Sequence, residues 1–187
     1  MVTIASLWLP ILLSAGLVWV ASALAWMALP HHKSDFRKLP NEDAGMDALR
    51  AQSLAPGIYW FPWTQGGADA KRPEVQAKFE QGPVGLLTVW PNGIPNMGKS
   101  VGLSLVYYLA VSVCVAYLAS RMLQPGAEYL TVFRLAGTVG FLAYGTAIIP
   151  NAIWFGTPWS NTFKTLADAL VYGLLTAGVF GWLWPGG

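Results

Sequence analysis

Four stretches of this chain, at about residues 4–29, 100–122, 129–149 and 162–184, are apolar over lengths near the roughly 20 residues that a helix needs to cross a bilayer. Inside lipid the backbone must satisfy its own hydrogen bonds, so all four are predicted to be helices. Composition agrees: 55% of the 187 residues are hydrophobic and only 11% are charged, against about 25% charged in a typical soluble domain. The predicted fold class is a membrane all-α protein, with four transmembrane helices and a small α/β extramembrane domain between helices 1 and 2. The first stretch is longer than a signal-peptide core, has no basic residue ahead of it and lacks a convincing cleavage site. It is read as a retained helix, bent or entered at Pro10.

Basic residues near the helix ends orient such a chain. Lys33, Arg37, Lys38, Lys99 and Lys164 lie on the side of the long first loop, whereas only Arg121 and Arg134 lie on the other. The loop is therefore expected in the cytoplasm and both termini in the periplasm. Trp8, Trp182 and Trp184 mark the terminal side and Trp26, Trp90, Trp154 and Trp159 the loop side, as an aromatic belt would. Some of the ten tryptophans are alternatively available to a partner or a ligand.

Residues 31–99 hold eight basic and seven acidic side chains. A structureless loop of that length is unusual. Asn41 ahead of Glu42 and Asp43 reads as a capped helix start running to about Gln52. Pro56-Gly57 turns into a strand-like aromatic run closed by Pro62, and Pro73 opens a second short helix. A second strand is expected over residues 84–90. So small a unit buries too little surface to stand alone. Tyr59, Trp60 and Trp63 are its candidate contacts with a membrane or partner, or else its own buried strand.

Gly93 to Ser100 matches the phosphate-loop pattern letter for letter. The following helix continues into an apolar span, however, and no residues remain for a nucleotide-binding sheet. No nucleotide is expected there; Lys99 snorkels at the interface and Ser100 caps the helix. The net charge of +2 argues against a nucleic-acid partner. A single cysteine, Cys114, excludes an intrachain disulfide and reads as a small packing residue.

His31 and His32, with Asp35 following, sit where the first helix ends. They suggest a ligand or proton-handling group, but adjacent histidines on a helix point in different directions, and the chain has no other histidine. No metal and no cofactor are expected, and these side chains are read first as solvated interfacial residues. Asp168 lies inside the fourth apolar stretch, where an ionisable group marks a functional candidate. Lys164 shares its helical face and is in reach for pairing; Asn151, Tyr144 and the histidines are the other candidate partners. Gly173, Ala177 and Gly181 recur at four-residue intervals, as do Ala136 with Gly140 and Ala143 with Ala147. Small residues so spaced let membrane helices approach closely, so these stripes are expected to hold the bundle together or to dock a neighbouring protein.

The segments Leu29 to Asp35, Pro56 to Pro62, Ile153 to Ser160 and Phe180 to Pro185 resemble those of a group of uncharacterised bacterial four-span inner-membrane proteins. That resemblance implies a location and an architecture, and no catalytic residue. The chain carries no serine–histidine–carboxylate set and no zinc-ligand spacing. The expected function is a non-catalytic accessory subunit that packs against and stabilises a larger membrane complex, respiratory or photosynthetic. The alternative is a small oligomeric transporter or channel using Asp168. A membrane enzyme using His31 and His32 is the third reading.

Overall fold

A computed structural model describes residues 2–186. Among the described residues the chain is mostly helical, with four helices long and apolar enough to cross a membrane and one two-stranded sheet. It divides into two units, residues 2–36 with 96–186 and residues 37–95.

The first unit is a four-helix bundle. A 3-10 turn at Ala5–Leu7 leads into α1 (Trp8–Ala23), and a π-type turn at Leu24–Ala28 prolongs it. Pro10 falls in the first turn of α1, where the missing N–H costs no helical hydrogen bond. The remaining spans are α4 (Met97–Met122), α5 (Tyr129–Gly145) with its extension α6 (Ile149–Trp154), and α7 (Trp159–Trp182). The third span runs beyond the expected end at residue 149, as far as Trp154. Pro150 is the reason for its irregularity. Its ring would clash with a carbonyl one turn earlier in a regular α-helix, and a 3-10 turn at Thr146–Ile148 stands there instead. Asn96, not Ser100, caps α4: its side-chain oxygen accepts from the Lys99 N–H at 3.0 Å.

Around the bundle, α1 packs on α4 and α7, and α5 on α4 and α7. Leu7, Ile11, Val111, Val115, Val132, Ala136 and Phe180 form its core. Ser14 donates to the Pro10 carbonyl at 2.6 Å and lies 3.1 Å from Ser112 Oγ, so one buried polar contact ties α1 to α4.

The closest approach is between α5 and α7. A Cβ at Gly173 would stand 3.0 Å from the Phe141 backbone nitrogen, and one at Gly140 would stand 3.3 Å from Gly173 Cα. Ala177 faces Gly137, and Gly181 lies against the Tyr129 ring. Thus the Gly173, Ala177 and Gly181 stripe is a helix-packing face. Ala136 lies in the hydrophobic core, however, and Gly137 and Gly145 take part where periodicity did not single them out. Ala143 and Ala147 are exposed, and so is Cys114, so these three lie outside the buried core of the bundle.

The second unit follows the order expected from its sequence: α2 (Glu42–Ala51), β1 (Gly57–Phe61), α3 (Pro73–Gln81) and β2 (Gly85–Val89). The Asn41 side chain accepts from the Ala44 N–H at 3.2 Å, the cap anticipated there. The strands pair antiparallel, with Tyr59 opposite Leu87. Gly82 ends α3 at φ 64°, a conformation open to glycine at little cost. Val75 is the one buried side chain of this unit among the described residues.

Candidate functional site

The site is made where the chain leaves the first span. Leu29 precedes Pro30, and the residue before a proline is pushed out of the helical region. Leu29 is accordingly extended (φ −80°, ψ 144°), and the helix ends there. Residues 30–35 then form tight turns, in which the Lys33 and Asp35 N–H groups donate to the carbonyls of Pro30 and His32. Residues 31–36 belong to the helical unit rather than to the loop domain in which the sequence reading placed them.

On the other side stands α7. Asn161, Lys164 and Asp168 follow at intervals of three and four residues and so share one helical face. Each of the three grips the turn. Asn161 Nδ2 donates to the Asp35 carbonyl at 3.2 Å. Lys164 Nζ donates to Asp35 Oδ1 and to Ser34 Oγ, both at 2.7 Å. Asp168 Oδ2 lies 2.6 Å from His32 Nε2, and Asp168 Oδ1 lies 3.1 Å from His31 Nε2. His32 Nδ1 is in turn 2.6 Å from Asp35 Oδ2. The result is a continuous chain of groups, Lys164–Asp35–His32–Asp168–His31.

The centre of this chain is shielded. Only 3% of the His32 side chain is exposed, with 6% of Asp35 and 13% of Asp168. Trp26 covers the His32 ring in a parallel stack, with centroids 3.8 Å apart. Burial alone would lower the His32 pKa. Its hydrogen bonds and its attraction to Asp168 and Asp35 outweigh that effect and raise it above the ordinary histidine value. The Asp35 carboxyl is held below its usual range, first by Lys164 and then by His32. Both His32 nitrogens face carboxylate oxygens, which only accept when ionised. The ring therefore satisfies both contacts only as an imidazolium.

Three expectations about these residues are corrected: the histidines were read first as solvated interfacial residues, yet His32 is buried. Neighbouring histidines were expected to diverge, as they do on a helix; here they lie in a turn, and both Nε2 atoms converge on one carboxylate. Lys164 was expected within reach of Asp168, yet it bonds Asp35 and Ser34. Both carboxylate oxygens of Asp168 are already engaged by the histidines. Although no metal site was expected, His31, His32 and Asp168 each offer one ligand atom within 4.8 Å of the others. Trp26, Ser34 and Asn161 were not anticipated as members. The spacing of Asn161, Lys164 and Asp168 was the readable sign of a polar face on α7.

The other candidates lie apart from this cluster in the chain. Tyr59 and Trp60 stand on β1, and the Tyr59 hydroxyl donates to the Ala55 carbonyl at 2.8 Å. Trp63 is 70% exposed and Ile58 is 73% exposed. In the bundle, Tyr172 is one turn beyond Asp168 on α7, and its hydroxyl and that of Tyr144 are buried without a hydrogen-bond partner among the described residues. Neither protein-family models, nor curated proteins, nor solved structures offer a match to this chain.

Proposed function

We propose that the chain is a non-catalytic, multi-pass accessory subunit of a bacterial inner membrane, packing against a larger membrane complex. In this reading residues 37–95 face the cytoplasm and both termini face the periplasm, following the bias of basic residues. Membership of the four-span inner-membrane group that the sequence resembles is part of the same proposal.

One observation carries it. The unit of residues 37–95 buries a single side chain, Val75, while Ile58, Trp63 and Trp90 are 73%, 70% and 66% exposed. A two-stranded sheet with so little core is marginal in water. Aromatic side chains left open on such a unit are the residues that anchor protein interfaces. The charge cluster fits a supporting role as well. Its oppositely charged groups answer one another within the chain, holding the exit of α1 on the first turns of α7.

The test is extraction from the native membrane in mild detergent, a native gel, and mass spectrometry of whatever comigrates. A single large complex at fixed stoichiometry is expected. Migration alone, or as a homo-oligomer only, would overturn the proposal.

A second reading, an oligomeric transporter using Asp168, is favoured by the buried hydroxyls of Tyr172 and Tyr144, which have no hydrogen-bond partner among the described residues. They continue polar chemistry from Asp168 into the bundle. In that reading Asp168→Asn abolishes proton or cation flux in vesicles while the protein still assembles. Loss of abundance or assembly without any flux to lose supports the subunit instead.

A further inference from the structure

We propose that His31, His32 and Asp168 form a binding site for a zinc-like divalent cation, held between the turn that follows α1 and the helix α7. The inference stands apart from the subunit reading, since it concerns the bundle alone and needs no partner.

Convergence of donors is the first argument. His31 Nε2 and His32 Nε2 lie 3.1 and 2.6 Å from the two oxygens of one carboxylate, Asp168. Tying a helix end to a neighbour needs one such contact. Two imidazole nitrogens and a carboxylate aimed at a common point are the elements of a three-ligand zinc site. Ligand–metal bonds of about 2.0–2.2 Å in tetrahedral geometry put ligand atoms roughly 3.3 Å apart. The three ligand atoms lie within 4.8 Å of one another, so an ion enters as the widest pair closes by up to about 1.5 Å and the closest opens by about 0.7 Å.

The surroundings supply the second argument. A metal-binding histidine ordinarily donates its other ring N–H to a carboxylate, which fixes the tautomer and the ring direction. His32 Nδ1 faces Asp35 Oδ2 at 2.6 Å, and Asp35 is itself fixed by Lys164 at 2.7 Å. Trp26 stacks on the same ring and holds its plane. In the loaded site the ion takes the place of the proton on each Nε2: the His32 proton leaves to water, and His31 binds as the neutral ring with its proton on Nδ1. The Nδ1–H bond to Asp35 is kept.

The donor set selects the ion. Imidazole nitrogen with one carboxylate suits zinc and its neighbours among the first-row metals, whereas magnesium and calcium require oxygen ligands throughout. His31 is 32% exposed, which provides the route of entry and leaves room for a water as fourth ligand.

The chain has two histidines in all, so every metal-bound imidazole must come from this site. Full-length protein is purified in detergent without a polyhistidine tag, stripped with chelator, and titrated with Zn2+ or with Co2+ as a visible probe. Saturable uptake of about one ion per chain is expected, with the strong visible bands of tetrahedral Co2+ and imidazole in the X-ray absorption spectrum. His31→Gln should remove stoichiometric uptake, and Asp35→Asn should weaken it about 10- to 100-fold by loss of the supporting carboxylate. Two variants are used so that one which fails to fold leaves the other. No saturable uptake by the wild type overturns the proposal. So does a signal without imidazole, or uptake equal to wild type in whichever variants fold.

Discussion

His32 Nε2 stands 2.6 Å from Asp168 Oδ2, although 136 positions separate the two residues in the chain. This contact joins the end of the first span to the first turns of the last. It closes only because Pro30 ends the helix at Leu29 and returns the chain over α7.

Removing Asp168 takes the carboxylate acceptor from both Nε2 atoms and leaves buried His32 with Asp35 as its one remaining partner in the charge chain. Asp168→Ala, in chelator-treated protein, should lose about 2–3 kcal/mol of stability. Asp168→Asn, which keeps an oxygen acceptor, should lose less. Reversible unfolding in mixed micelles measures both; an Asp168→Ala midpoint equal to wild type would show that the contact contributes nothing.

Lys164 is 25% exposed and its partner Asp35 is 6% exposed, so their ion pair is only partly screened. A double-mutant cycle between Lys164→Ala and Asp35→Ala should give a coupling of about 1 kcal/mol. The matching cycle between Lys164 and Asp168 should give markedly less, since the structure places no bond between them. The reverse ranking would restore the pairing along α7 that spacing alone suggests.

Glycines divide by what faces them. Gly173→Val should separate α5 from α7 and destabilise the bundle by about 1–3 kcal/mol, because even a Cβ there meets the Phe141 nitrogen at 3.0 Å. Gly102 in α4 has nothing within 4 Å. Gly102→Ala should therefore be neutral, or stabilising by about 0.5–1 kcal/mol through its helical preference. Equal losses at the two positions would contradict the close packing of α5 on α7.

Orientation is open to chemical labelling. With Cys114 replaced by alanine, a cysteine introduced at the exposed Gln65 should react with a membrane-impermeant maleimide in inverted vesicles. It should stay unlabelled in intact spheroplasts. Labelling in spheroplasts would place residues 37–95 outside the cell and reverse the proposed topology.

The parts of this structure legible in the sequence are those governed by local chemistry. Apolar length along the chain specifies a candidate span whatever lies beside it, so all four appeared before any packing was known. Caps and breakers act within a few residues, which is why Asn41, Pro73 and the strands at Gly57–Phe61 and Gly85–Val89 were readable. Even locally, two acceptors sometimes compete: Asn96 takes the cap of α4 that Ser100 also suits.

What lies across the fold was decided by tertiary structure. Spacing brings Lys164 within reach of Asp168, but a turn more than 120 residues earlier in the chain delivers Asp35 to Lys164 and both histidines to Asp168. Which of several nearby opposite charges a lysine meets depends on backbone paths that only packing sets. The same holds for Gly137 and Gly145, small on a helix of many small residues, whose importance comes from the helix placed against them. The residue types of the site could be read from the chain one by one. Their convergence on a single carboxylate follows from α1 packing on α7, because the contact needs both helix ends fixed in space at once.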